Sequence, residues 1–151
     1  MMELGWVMII VSKINGANRR LVLFAIGGFA YCLIELIWRG YSHMSMFAVG
    51  GVCFVLVGGI KDFLPWKLGL IWHCLIGGAI ITIVELVSGL VLNVWLGLAV
   101  WNYSDLPLNF AGQICVSFSA LWVLASMATI FIDNYLRHWL FHEQVPSYTL
   151  F

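Results

Sequence analysis

Long apolar runs broken by brief polar interruptions dominate the chain. Four of them, Leu21 to Trp38, Met44 to Ile60, Leu68 to Leu92 and Phe110 to Ile132, approach the length that crosses a bilayer, because a hydrocarbon core of about 30 Å takes roughly 20 helical residues. Period-two alternation, the mark of a membrane barrel, is missing. Backbone groups that meet no water in hydrocarbon must then be satisfied within helices. The pattern predicts an all-α integral membrane protein with a four-helix transmembrane domain over residues 21–140 and a cytoplasmic tail at 141–151. Ahead of it, Leu4 to Val11 is apolar but too short to span, and Glu3 with the polar stretch Ser12 to Arg20 does not suit a secretory leader. Residues 1–20 are expected to form an interfacial amphipathic segment with Trp6 at headgroup depth.

Composition agrees with the pattern: 63% of residues are hydrophobic and 9% charged, with a mean hydropathy of +1.01. A water-soluble domain of this size does not need so much apolar surface. Of the seven Lys and Arg, Lys13, Arg19, Arg20, Lys61, Lys67 and Arg137 fall on one side of the four predicted spans, and Arg39 alone on the other. The positive-inside rule makes the crowded side cytoplasmic, so both termini are expected inside, with membrane lipid as the surrounding partner. Zero net charge argues against nucleic acid, which needs a basic patch. Cys32, Cys53, Cys74 and Cys115 lie inside spans without a CxxC pairing, and His73, His138 and His142 lack zinc-site spacing, so packing roles are expected and neither a metal nor a cofactor.

A fifty-residue echo links the first and third runs. Gly27-Gly28 followed by Ile34-Glu35-Leu36-Ile37 matches Gly77-Gly78 followed by Val84-Glu85-Leu86-Val87, and Gly50-Gly51-Val52-Cys53 faintly matches Gly112-Gln113-Ile114-Cys115. The chain thus reads as two helical hairpins arranged as parallel repeats, with a seam between them. Glycine pairs at 27/28, 50/51, 58/59 and 77/78 supply faces on which helices approach closely.

Charged groups within spans are the main candidate chemistry, since each costs about 2.5 to 3.5 kcal/mol at mid-bilayer and must face a partner or a wet cavity. Glu35 and Glu85 share a depth. Tyr31, Glu35, Trp38 and Arg39 fall on one stripe of the first helix; Thr82, Glu85, Ser88 and Gly89 fall on one stripe of the third, with Asn93 beyond. Asn109, Gln113 and Ser117 are placed on the fourth. Together these predict a polar cup open to the outside, in which Arg39 pairs with Glu35 and reaches Glu85 across the seam. One arginine serving two carboxylates leaves an excess negative charge or a bound proton, which a cation, amine or proton would complete. His43 sits at the outer interface, where histidine titrates readily. The loop Trp101-Asn102-Tyr103-Ser104-Asp105-Leu106-Pro107 offers turn chemistry and two interfacial aromatics as a lid. Asp133 and Arg137 are expected to form an exposed ion pair at the inner end.

Several of these stretches carry a family likeness. YCLIELIWRGYSHMSM, Tyr31 to Met46, followed by Gly50-Gly51, then Glu85, Gly89 and Asn93, then Trp101-Asn102-Tyr103-Ser104 through Pro107, Asn109 and Gly112, resemble the CmpB-like, ABC-transporter type IV family of small bacterial membrane proteins. The likeness covers most of the chain from Phe24 onward. The family has Trp-Asp-Tyr-Ser where this chain has Asn102, which removes a carboxylate role there. The resemblance implies a bacterial plasma-membrane protein associated with transport. The chain has no G-x-x-x-x-G-K-[ST] phosphate loop, so an ATPase would be a separate subunit; a homodimer or other partner is also expected of so few helices. The leading expectation is a permease-like or substrate-capturing subunit binding a small cationic or protonatable solute. Two alternatives stand beside it. One is a membrane-embedded enzyme on lipid or isoprenoid head groups, with the two glutamates as acid and base, Arg39 on a phosphate and His43 shuttling a proton. The other is an accessory protein whose polar core is structural.

Overall fold

The computed structural model describes residues 16–150, so the expected interfacial helix at Leu4 to Val11 lies outside the described residues. Four long helices follow in order: α1 Gly16–Arg39, α2 Met44–Gly58, α3 Leu70–Gly89 and α4 Val116–Phe141. A 3₁₀ turn, Gly59–Asp62, extends α2, and a π-helical stretch, Leu90–Trp95, extends α3. All four spans are long and apolar enough to cross a membrane. Between α3 and α4, a short antiparallel hairpin pairs β1, Asn109–Phe110, with β2, Ile114–Cys115.

Burial runs opposite to that of a water-soluble bundle. No more than 39% of any span's apolar window is buried, and large apolar side chains such as Ile37 and Trp38 stand almost fully outward, at 79% and 86% exposure. Such a surface is stable against lipid tails and not against water. The seams carry small and polar groups instead. In the α1–α2 pair, Gly27 receives Phe54 and Gly50 receives Tyr31. In the α3–α4 pair, a Cβ on Gly78 would lie 2.6 Å from Val123 Cγ2. The helices are thus paired α1 with α2 and α3 with α4, while α2 touches both helices of the second pair. Val57, Ile60, Cys74, Ile81 and Ile130 form the core between the pairs.

Three expectations are corrected. The fourth helix begins at Val116, not Phe110, because Ala111 and Gly112 take left-handed conformations, φ +53° and +67°, that turn the chain into the hairpin. It also runs on to Phe141, well past Ile132. Asp133 and Arg137 are not an exposed pair: the Asp133 side chain has no exposed surface, and Arg137 Nε donates to its Oδ2 at 2.7 Å. Gly58 makes room for that carboxylate between α2 and α4.

Candidate functional site

Helix α3 buries a stripe of Cys74, Gly78, Ile81, Glu85 and Gly89 at steps of three or four residues, the spacing that keeps one face toward a neighbour. Glu85 consequently faces α4 and is only 7% exposed. Two aromatic donors hold it. The Tyr103 hydroxyl donates to Oε1 at 2.9 Å, and the Trp122 indole N–H donates to Oε2 at 2.8 Å. Tyr103 stacks on Phe118 at 4.6 Å between ring centres, and Phe118 lies 6.1 Å from Trp122, so one aromatic row on α4 fixes both donors. Among the described residues, no cationic side chain lies within ion-pair distance of Glu85. Burial, and after it the Glu85 carboxylate, pushes the Tyr103 phenol well above its usual range, which keeps it a donor.

Glu35 belongs to a second cage. Arg39 Nη2 donates to its Oε1 at 2.6 Å, and the Ser42 hydroxyl donates to its Oε2 at 2.6 Å. Arg39 Nη1 donates to the Val100 carbonyl at 3.1 Å, and its guanidinium lies 4.6 Å from the centre of the Tyr41 ring. The guanidinium does not reach Glu85, contrary to expectation, because Glu35 and the loop backbone at Val100 engage both of its terminal nitrogens. Its Nε is buried with no hydrogen-bond partner among the described residues.

The cages are joined through the loop. Val100 N–H donates to Asn93 Oδ1 at 2.7 Å, Asn93 Nδ2 donates to Gln113 Oε1 at 2.8 Å, and Trp101 Nε1 donates to the Gln113 carbonyl at 3.0 Å. Asn93 sits on the π-helical stretch, where the wider turn departs from the α-helical stripe. Gly89 leaves the space that Gln113 fills, since a Cβ there would stand 2.6 Å from Gln113 Oε1. Asn109 braces the same loop through the Ser104 and Leu106 carbonyls and the Gly112 N–H. Asn102 Oδ1 accepts from the Ser104 N–H and hydroxyl, an acceptor role that needs no carboxylate.

The structure therefore brings together Glu85 with Tyr103, Glu35 with Arg39, and Asn93 with Gln113 and Trp101. Tyr31 packs against Gly50 on α2, with no hydrogen bond to either glutamate among the described residues. Other candidates fall elsewhere. Ser117 and Asp105 are exposed, and Asn109 and Gln113 precede α4 and form no stripe on it. His43 caps α2, accepting the Ser45 N–H at Nδ1. Thr82 and Ser88 bond to carbonyls of their own helix. The open cup is replaced by a closed arrangement in which Tyr103 roofs Glu85. Sequence reasoning missed Trp122; its signal was that it alone among the tryptophans falls mid-span.

A cavity of about 210 Å³ lies away from these groups, lined by Leu70, Ile71, Cys74, Leu75, Val123, Leu124, Met127 and Leu150. It is apolar and suits no ion.

No curated protein and no solved structure matches the chain. A family model described as "Putative ABC-transporter type IV" matches residues 4–150, a stretch that holds both glutamate cages, the loop and all four spans. The chain belongs to this ABC-transporter type IV family and is a transport-associated, multi-pass membrane protein.

Proposed function

We propose that the chain is a permease-like or substrate-capturing component that takes a small cationic or protonatable solute at Glu85, working with an ATPase on a separate chain. The observation that carries this is the unbalanced carboxylate: Glu85 is buried, is held by two neutral donors and has no cation beside it among the described residues. A buried carboxylate in that state either keeps a proton or accepts a cation, because an isolated charge in a dry interior is very costly. Tyr103 is the natural gate. It belongs to the loop between α3 and α4, and lifting it opens Glu85 from the end of the bundle that carries Arg39, the extracellular end by the positive-inside rule.

A second reading has its own support, since both Glu85 oxygens already accept a hydrogen bond, as they would in a purely structural core. Thermal unfolding of the purified protein in detergent separates the two. Wild type and Glu85→Gln are compared across alkali cations, primary amines and polyamines, because a ligand of the folded state at about 100 times its Kd adds about 2.7 kcal/mol. One class is expected to raise the wild-type midpoint and leave the variant's unchanged. If no class moves the wild type and Glu85→Gln merely shifts the baseline, the core is structural.

A further inference from the structure

Past α4 the chain reverses and lies back across the inner end of the bundle. His142 takes the left-handed conformation, φ +57°, that ends the helix, and the Glu143 N–H closes on the Arg137 carbonyl at 3.3 Å. From there residues 142–150 reach every span or its extension. Glu143 Oε1 lies 3.3 Å from Arg19 Nη1 of α1; its Oε2 lies 3.2 Å from Lys61 Nζ, on the turn that extends α2, and 3.7 Å from Arg137 Nη1 of α4. The Tyr148 ring packs on Phe131 of α4 at 5.0 Å between centres, and its hydroxyl meets Asn134. The Thr149 carbonyl accepts the Leu70 N–H at 2.7 Å. That last bond supplies what α3 lacks, because its cap is Gly69, φ +77°, which offers the first turn no side-chain acceptor.

These contacts are weaker than the packing beneath them. Of residues 142–150, Glu143, Pro146 and Tyr148 are half-buried and the others exposed. The Glu143 and Arg19 side chains are 28% and 31% exposed, and ion pairs so open to water contribute little and are screened by salt. The spans are held by burial instead. Asp133 has no exposed surface and bonds Arg137 at 2.7 Å, and Val57, Ile60, Cys74, Ile81 and Ile130 form the core. A segment tied down by exposed ion pairs, one ring and one backbone bond to α3 opens at a lower free energy than a bundle tied together by its core.

We propose that residues 142–150 form a releasable strap that closes the inner end of the bundle and lets go as one unit, under the control of ionic strength, while the spans stay folded. Glu143 pins it to the first helix pair through Arg19 and Lys61, and Tyr148 and Thr149 pin it to the second through Asn134 and Leu70. Closed, the strap ties the two pairs together across their seam. Open, it uncovers Asn134 and the first turn of α3. The strap is independent of Glu85.

The test is residue-level amide hydrogen exchange of the full chain in neutral detergent, at fixed pH, in low and in high salt. As the first residue of α3, Leu70 has no intrahelical acceptor for its N–H, so its exchange reports the bond to Thr149 directly. High salt is expected to speed exchange at Leu70 and Glu143 together, and to leave the mid-span amides of α3 and α4 protected. Glu143→Gln is expected to exchange about fivefold faster at Leu70 in low salt, the upper worth of an exposed ion pair, and to lose most of the response to salt. Asp62→Asn removes an equal charge from an exposed acid at the same end and is expected to change neither rate. A response at Leu70 without one at Glu143 overturns the proposal, since the segment would then fray from one end. So does an equal rise in the mid-span amides, which would mean that the segment opens only with the bundle. Unchanged exchange in Glu143→Gln, or the same effect from Asp62→Asn, overturns it as well. If Glu143→Gln does not fold, the salt response of the wild type decides by the first two of these criteria, and no response to salt overturns the proposal.

Discussion

A buried carboxylate is sensitive to its donors because each one removed leaves an acceptor that water cannot reach. Trp122→Phe keeps the ring and deletes the N–H bound to Glu85, so unfolding free energy should fall by about 1–3 kcal/mol, seen as a lower thermal midpoint. Tyr103 adds a pH dependence. Its pKa is raised above the ordinary 10.0 by burial and by Glu85, so the folded state holds the proton more tightly than the unfolded chain. Stability is therefore intact below pH 10.0 and declines as pH climbs past it. Tyr103→Phe should remove part of that decline, measured as a shallower fall of the midpoint in alkaline buffers. At this scale the sequence was readable where a polar group stood out against apolar neighbours, as Glu35, Arg39 and Glu85 do, while Tyr103 was visible only as an aromatic of the polar outer loop. It did not show which of them meet. Glu35 and Glu85 hold equivalent places in the fifty-residue echo, yet one is paired with Arg39 and the other with Tyr103 and Trp122. Partner choice depends on the loop backbone at Val100, which no side-chain pattern records.

Helices α3 and α4 approach closely because Gly77 and Gly78 present no side chain to Ser126 and Val123. Gly78→Ala would place a Cβ 2.6 Å from Val123 Cγ2 and 2.9 Å from its Cα, and overpacking of that kind costs about 1–3 kcal/mol. The expected result is a lower midpoint with the spans still inserted. In the loop, Gly112 has φ +67°, and a Cβ there would lie 2.5 Å from the Ser104 hydroxyl oxygen and 2.8 Å from Asn102 Oδ1. Gly112→Ala is therefore expected to loosen the turn that holds Tyr103 over Glu85, visible as faster proteolysis of residues 96–115 before the helices unfold. Helix number and the close glycine faces were legible from hydropathy and spacing. The start of α4 was not, because Phe110, Ile114 and Cys115 are as apolar as the helix they precede, and only the left-handed turn at Ala111 and Gly112 separates them.

Over the whole molecule, one end is held by a network of ion pairs around Asp133 and Glu143, and the other by the Glu35–Arg39 pair beside a carboxylate, Glu85, that has neutral donors alone. Asp133 is the keystone of the charged end, and Asp133→Asn would take from buried Arg137 its close counter-ion at 2.7 Å and leave the longer contact to Glu143 at 3.7 Å. Breaking such a pair costs about 3–5 kcal/mol, enough to cut the yield of folded protein, as size-exclusion chromatography in detergent would show. The sequence placed Arg19, Lys61 and Arg137 on one side of the membrane but not in one cluster, because the fold-back of the tail that brings Glu143 among them depends on the left-handed His142. At the Glu85 end, the proposal that this carboxylate receives a cation is tested most directly by difference infrared spectroscopy of the protein with and without the cation or amine that raises its midpoint. Glu85 bound to a solute predicts a shift in a carboxyl band that disappears in Glu85→Gln. The same difference spectrum in wild type and variant would contradict it.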